Sequence, residues 1–356
     1  MTLVFTWAKY GALVADSLLT SPHSDQTRKH DFPLIPQSSA RLSGLGLDGI
    51  YRNMATKIMS LSPELVLGCA GTMIDSLKLH DILQDDMPDA SVSDVESRLI
   101  NIAKSNQLDL TCTGVIATVE GPICFCFDFG TKEFLHGGGY AIGSGKEYYR
   151  EFNESSPIYS KNPYQDLEVV YSRVSALMAN HYFSNEQLMV NVGGNYSSKV
   201  YNGKTFQDPP PTLHLFMTFD TDDDGKIVGY GDYFFVHQIQ KDTELLTRRM
   251  LKLRGIDTPK NNSEIDVIET ISPFLRRKNA FSFEELMSPF TAKLFHINCR
   301  VLHKGRILTS SLSYHENHPN LPINVVPDTS NGHQIDIDEL LPEIAVFHAL
   351  SQVYKK

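Results

Sequence analysis

The first seventeen residues, MTLVFTWAKYGALVADS, constrain this chain more than any other stretch. Leu3 to Trp7 and Ala12 to Ala15 are short runs of β-branched, aromatic and small apolar residues on either side of Lys9-Tyr10-Gly11. That pattern reads as a β-hairpin opening at the chain terminus. Thr2 follows Met1, and a small second residue normally allows the initiator methionine to be trimmed. Trimming would leave a hydroxyl and a free α-amino group on one threonine, where the amine can act as general base for its own side chain. Such an amine titrates at about 7.7–8.0, so a useful fraction is neutral at physiological pH. The hairpin alone leaves two readings of Thr2 open: a nucleophile, or a residue of no special role.

A chain of 356 residues is long enough for about two domains and a large core. Its formal charge of −10 argues against a general nucleic-acid binder, which needs a basic surface to neutralise phosphates. No run of roughly eighteen apolar residues is present to span a membrane, and the N-terminus lacks the basic region and apolar core of a signal peptide. A cytoplasmic location is expected. The five cysteines, Cys69, Cys112, Cys124, Cys126 and Cys299, are an odd number and most lie in apolar strand-like segments, as expected in a reducing compartment. Cys124 and Cys126 would share one face of a strand; without histidines at ligand spacing nearby, buried thiols are preferred to a metal site.

Leu18 to Asn53 is polar and punctuated by Pro22, Pro33, Pro36, Gly44, Gly46 and Gly49, and reads as an inserted loop. Strands are expected at Lys57 to Leu61 and Leu65 to Cys69 around a Ser62-Pro63-Glu64 turn, then a helix from Gly71-Thr72 and a second over Val92 to Ser105. Strands at Thr113 to Val119 and Ile123 to Phe127 flank Glu120-Gly121-Pro122. A bend at Gly143-Ser144-Gly145 precedes a helical start, and Asp166 to Tyr182 is an amphipathic helix with Leu167, Val170, Val174, Leu177 and Met178 on one face. Strands at Leu188 to Val192 and Ser197 to Tyr201 bracket Gly193-Gly194. After Pro209-Pro210-Pro211, a long hairpin over about 212–237 flanks an acidic turn. Beyond a soft boundary near residue 240, helices are expected at Thr243 to Leu253, Ile265 to Leu275 and Phe283 to Ser288. Strand follows at Phe295 to Leu312, then an irregular segment near Asn317 to Pro327 and a terminal helix at Ile337 to Val353.

The order of these pieces resembles the proteasome β-subunit and HslV branch of the N-terminal-nucleophile hydrolases. The likeness rests on Thr2 opening a hairpin closed by Ala15-Asp16-Ser17, Lys57-Ile58 starting a strand, and Leu67-Gly68-Cys69-Ala70-Gly71 leading into a helix with Asp75 in its first turn. A strand pair ending at Asp128, then Tyr140-Ala141-Ile142-Gly143-Ser144-Gly145, an amphipathic helix and Gly193-Gly194 complete it, over roughly residues 2–205. The resemblance implies an α+β fold, a four-layer αββα sandwich over residues 1–240 with an insert at about 18–53, and a mixed C-terminal accessory region at 241–356. It implies Thr2 as nucleophile, Asp16 as the acid closing the hairpin, and Lys57 as the buried cation that favours the deprotonated hydroxyl and a neutral amine. Gly68 would supply the oxyanion-hole N–H, and Ser144 would hydrogen-bond near the amine. Ala55, Met59, Val66 and Ala70 would line a small apolar substrate pocket.

The expected activity is amide hydrolysis through an acyl-enzyme on Thr2, with a peptide ligase as a variant and a catalytically silent assembly module as the alternative. No cofactor is expected. Expected partners are a peptide or protein substrate, further copies of the chain, and an ATPase or other protein, with neither nucleic acid nor membrane. The sequence departs from the family in a slightly shorter first hairpin, which keeps its pairing if both antiparallel strands shorten. It departs also in the long insertion before Lys57, and in Met189-Val190-Asn191-Val192, where the family places an Asp and a Ser. Separately, Asp220, Asp222 and Asp224 followed by Gly225, with Ile227 at the usual apolar position, match the first half of a calcium loop, but Gly231 stands where its bidentate acid belongs. An acidic hairpin turn with Asp224-Gly225 at the tip is the simpler reading. His296, His303, His315 and His318 form no ligand cluster in sequence and are expected at the surface or satisfied in the core.

Overall fold

Short apolar runs separated by tight turns pair with their sequence neighbours, and that local rule builds most of the first half of this α+β protein. The computed structural model describes residues 3–20, 51–85, 91–155, 166–183, 195–242, 244–251, 262–271, 281–282, 284–285, 291–328 and 332–351. β1 (Val4–Trp7) and β2 (Ala12–Asp16) form the opening hairpin. Its connection ends on Gly11 at φ 54°, where a Cβ would also come within 2.8 Å of the Tyr201 Cβ. β3 (Leu18–Thr20) and β4 (Tyr51–Met54) pair across the base of the insert, whose residues 21–50 lie outside the described residues.

β5 (Ile58–Ser62) and β6 (Leu65–Gly71) lead into α1 (Met73–Asp85), where the Thr72 hydroxyl accepts the Asp75 N–H at 3.1 Å and donates to its carboxylate at 2.8 Å. α2 (Val92–Ser105) is capped by Ser91, and β7 (Leu110–Thr118), β8 (Gly121–Asp128) and β9 (Glu133–Gly137) follow; β9 was not expected from the sequence. β10 (Ala141–Ile142), α3 (Lys146–Ser155), α4 (Asp166–Phe183), β11 (Tyr196–Tyr201) and β12 (Phe206–Gln207) complete this part. The strand expected at Leu188 to Val192, with Gly193-Gly194, lies outside the described residues.

Two antiparallel sheets result, ordered β10-β1-β2-β11-β12 and β5-β6-β7-β8-β9. Alternation along each strand divides their side chains between two faces. Val4, Leu13 and Ala15 of the first sheet share one core with Ile58, Val66 and Val115 of the second. On its other face the first sheet sets Leu3, Phe5 and Val14 against Tyr149 and Phe152 of α3 and Val170 and Leu177 of α4. The second sheet sets Leu67, Cys112 and Phe127 against Leu79 and Leu83 of α1 and Val95 and Leu99 of α2. Cys69, Cys112, Cys124 and Cys299 are buried free thiols; burial pushes Cys69 up to about 12.

A third, eight-stranded sheet begins directly after the proline run. β13 (Thr212–Thr221) and β14 (Ile227–Lys241) form the expected long hairpin. β15 (Glu244–Leu251) and β16 (Asn262–Ile271) are strands where helices were expected at Thr243 to Leu253 and Ile265 to Leu275. β17 (Leu294–His303), β18 (Arg306–His315), β19 (Ile323–Asp328), β20 (Gly332–Ile337) and α5 (Leu341–Ser351) follow. Part of the segment expected to be irregular near Asn317 to Pro327 is therefore the strand β19. Of the helix expected at Phe283 to Ser288, only Glu284 and Glu285 are described as helical, and residues 286–290 lie outside the described residues.

The sheet order is β18-β17-β13-β14-β15-β16-β20-β19, antiparallel except for β13 with β17. Residue 240 falls inside β14, so the stretches before and after it share one sheet. One face, through Phe216, Phe234 and Leu294, closes over α4. The other packs Leu215, Phe235 and Ile297 on Leu341, Ala345 and Val346 of α5, and brings Ile323 and Ile335 from one end of the sheet into the same core as Leu308 and Leu312 from the other. No helix among the described residues is long and apolar enough to cross a membrane.

Candidate functional site

The most unusual chemistry in the first half lies at the Leu3 end of β1. Asp16, the last residue of β2, sits opposite Leu3; its carboxylate accepts the Leu3 N–H at 2.9 Å, and its own N–H donates to the Leu3 carbonyl at 3.0 Å. Lys57 Nζ donates to the same carboxylate oxygen in an ion pair. Asp16 is fully buried and Lys57 is 3% exposed. Burial lowers the Lys57 pKa from its ordinary 10.5, and the charge and hydrogen bond of Asp16 oppose that shift. Thr2 precedes Leu3 and lies outside the described residues.

Three further strands converge on this end. β10 pairs with β1 as Val4 against Ile142, a register running toward Leu3 on one strand and Gly143-Ser144 on the other. Ser144 is exposed at the bend that opens α3. Gly68 lies opposite Ile58, the residue after Lys57. A Cβ on Gly68 would come within 2.6 Å of Val4 Cγ1, so close approach of the two sheets itself demands glycine there. The residues expected to line a pocket are separated: Val66 and Ala70 face the core between the sheets, Met59 faces α1 and α2, and buried Ala55 donates its N–H to the Ser17 carbonyl at 2.9 Å.

Asn195, Gln238 and His214 were not singled out in the sequence, and Ser17 entered only within the motif that closes the hairpin, with no role of its own. Ser17 and Asn195 bond twice: Ser17 N–H to the Asn195 carbonyl at 2.8 Å and Asn195 N–H to Ser17 Oγ at 2.9 Å. Gln238 Nε2 donates to Asn195 Oδ1 at 2.8 Å, and Gln238 Oε1 lies 3.2 Å from His214 Nε2. His214 Nδ1 lies 3.0 Å from Ser175 Oγ, which accepts from Asn298 Nδ2 at 2.9 Å. Ser311 donates to Asn298 Oδ1 at 2.7 Å. Since an amide oxygen only accepts, His214 carries its proton on Nε2 and accepts a hydrogen bond from the Ser175 hydroxyl at Nδ1. Every donor in this chain therefore points from β18 toward Asn195. Burial lowers the His214 pKa to about 3, which keeps the ring neutral. The available signal was periodic: in TLHLFMTF and YFFVHQIQ, polar residues interrupt strands that are otherwise apolar.

The acidic loop is a hairpin turn. The Asp222 carboxylate accepts the Asp224 N–H at 3.0 Å and the Lys226 N–H at 2.8 Å, while Asp220 faces Gly229 in the ladder. His296 is buried with Nδ1 2.7 Å from the Ser313 hydroxyl, and His303 Nδ1 lies 3.0 Å from that of Thr221. His318 Nδ1 accepts the Asn320 N–H at 3.2 Å, and His315 is exposed at the end of β18. Among the described residues, no three His, Cys, Asp or Glu side chains group as metal ligands. Around Leu3, one fully buried carboxylate holds both a backbone N–H and a buried lysine. No protein-family model matches the chain, and no curated protein matches it.

Proposed function

We propose that this chain is a threonine-type N-terminal-nucleophile hydrolase that cleaves peptide or other amide bonds through an acyl-enzyme on Thr2, formed after Met1 is removed. One observation carries the reading: a buried lysine–aspartate pair whose carboxylate also holds the backbone N–H of Leu3, the residue next to Thr2. A buried ion pair is weak evidence for stability, because desolvation offsets its attraction, and clusters of this kind gather at functional sites. In this reading the two facing sheets and the helices outside them form the αββα sandwich of the proteasome-like branch.

The chemistry follows from the groups available. The Thr2 hydroxyl passes its proton to its own α-amine as the oxygen attacks the scissile carbonyl, and the Lys57 cation favours the developing alkoxide. The Gly68 N–H stabilises the oxyanion. Collapse expels the amine leaving group, which takes the proton, and water then attacks the ester and frees Thr2. An amine in place of water would make the same intermediate a ligase. The substrate class is a peptide or protein, the setting is the cytoplasm, and the working form is an assembly of several copies.

A second reading, a silent member of the same fold serving in assembly, is favoured by the fully buried Val66 side chain, which faces the other sheet where a pocket was expected. Intact mass before and after incubation with a peptide epoxyketone separates the two. A chain lacking Met1 that gains one adduct, lost in Thr2→Ala, is the expected result. An unmodified chain retaining Met1 would reject the hydrolase reading and favour the silent one.

A further inference from the structure

We infer that Gln238 and His214 of the eight-stranded sheet are positioning residues for the nucleophile end of the first hairpin. The inference rests on the hydrolase reading for its catalytic consequence, while the geometry behind it stands separately. Asp16 and Ser17 form the end of β2 that faces Leu3, and β2 is held on its other side by β11, with Asp16 opposite Tyr196. The third sheet grips β11 and the residue before it at two places. Gln238 holds Asn195, which is bonded twice to Ser17. Gln240 brackets Ser198, accepting its N–H at 3.0 Å and donating to its carbonyl at 2.8 Å.

Gln238 can donate to Asn195 only while its oxygen faces His214, because a flipped amide would set oxygen against oxygen at Asn195 Oδ1. The Nε2–H of His214 fixes that orientation, and Ser175 with Asn298 fixes the ring in turn. All of these side chains are buried, and a small cavity lined by Tyr196, Ser198, His214 and Gln238 lies beside them. The result is a polarised line of donors from the third sheet that anchors the backbone beside Asp16, and through Asp16 the Leu3 amide. Thr2 is one residue further on.

The test compares His214→Phe, Gln238→Leu and His214→Gln with the unaltered chain. His214→Gln retains a donor toward Gln238, and the other two break the line. Two readouts are taken: amide hydrogen exchange at Leu3, Ser17 and Asn195 with Thr113 of β7 as control, and the rate and half-saturation of Thr2 acylation by a peptide epoxyketone. Expected in the two breaking variants is exchange at Ser17 and Asn195 faster by about tenfold or more, the scale of one lost buried hydrogen bond, with Thr113 unchanged. The maximal acylation rate falls by a similar factor at unchanged half-saturation, and His214→Gln restores both. Local exchange that stays at the level of the unaltered chain, or that rises equally at Thr113, overturns the inference. If the unaltered chain takes no adduct, the hydrolase reading fails, and the exchange pattern still decides whether the third sheet anchors this strand end.

Discussion

Lys57 is caught between the cost of burial and its pairing with Asp16. Its charge is out of water, and the carboxylate that offsets this cost, Asp16, is itself fully buried. Removing the cation takes the Lys57 ion pair from a fully buried carboxylate, so Lys57→Met is expected to lower stability by about 3–5 kcal/mol in urea unfolding. The pH dependence has a fixed sign. The folded chain holds the Lys57 proton less tightly than the unfolded chain, whose value is the ordinary 10.5. Between the folded value and 10.5 the unfolded state binds more protons, so this contribution to stability rises with pH across that window. Below the folded value the burial cost is present in full. The stability gap between the unaltered protein and Lys57→Met should therefore widen as the pH rises toward 10.5; a narrowing gap would contradict the assignment.

Between elements, the Gly68–Val4 contact sets how closely the first two sheets approach. Gly68→Ala places a methyl group 2.6 Å from Val4 Cγ1. The expected cost is about 1–3 kcal/mol by denaturant unfolding, and less in a Val4→Ala background where that methyl is gone. Equal costs in both backgrounds would show that the sheets do not meet there. The elements of the first half were largely legible in sequence, because their hairpins and capped helices are decided by neighbouring residues: Gly11 in a tight turn, Thr72 and Ser91 at helix starts. β15 was not. TELLTRRMLKL is rich in strong helix formers with apolar residues at helical spacing, yet its Glu244–Leu251 portion is zipped between β14 and β16. Arg248 and Arg249 are both buried there, which no local pattern announces. Long-range pairing overrode local propensity. The same limit hid the site's polar line, since Ser17, Asn195 and Gln238 meet only when three distant segments have docked. Asp16 and Lys57 were legible as candidates because family resemblance singled them out; their contact is a product of the fold.

For the molecule as a whole, α4 is the shared wall. Val170, Leu177 and Met178 belong to the core of the first sheet, while Ser175 bonds into the third sheet and Phe183 packs edge-on to Phe216 at 6.3 Å. That double engagement explains why polar Ser175 is buried on a helix expected to show one solvent face, whereas Arg173 is buried against α3, donating to the Phe152 carbonyl at 3.0 Å. A chain ending at residue 211 should lose the cover over α4, bind a hydrophobic dye and lack a cooperative thermal transition, whereas residues 1–356 should melt as one unit in calorimetry. A cooperative, native-like melt of the shorter chain would show that the third sheet is dispensable. The closure of that third sheet over α5 has a further consequence at the ribosome. Leu341, Ala345 and Val346 are translated after every strand whose ends they join. Until they emerge, the nascent chain carries a long sheet with its apolar face bare and its two ends unmet, so its exposure to aggregation lasts until α5 has been made.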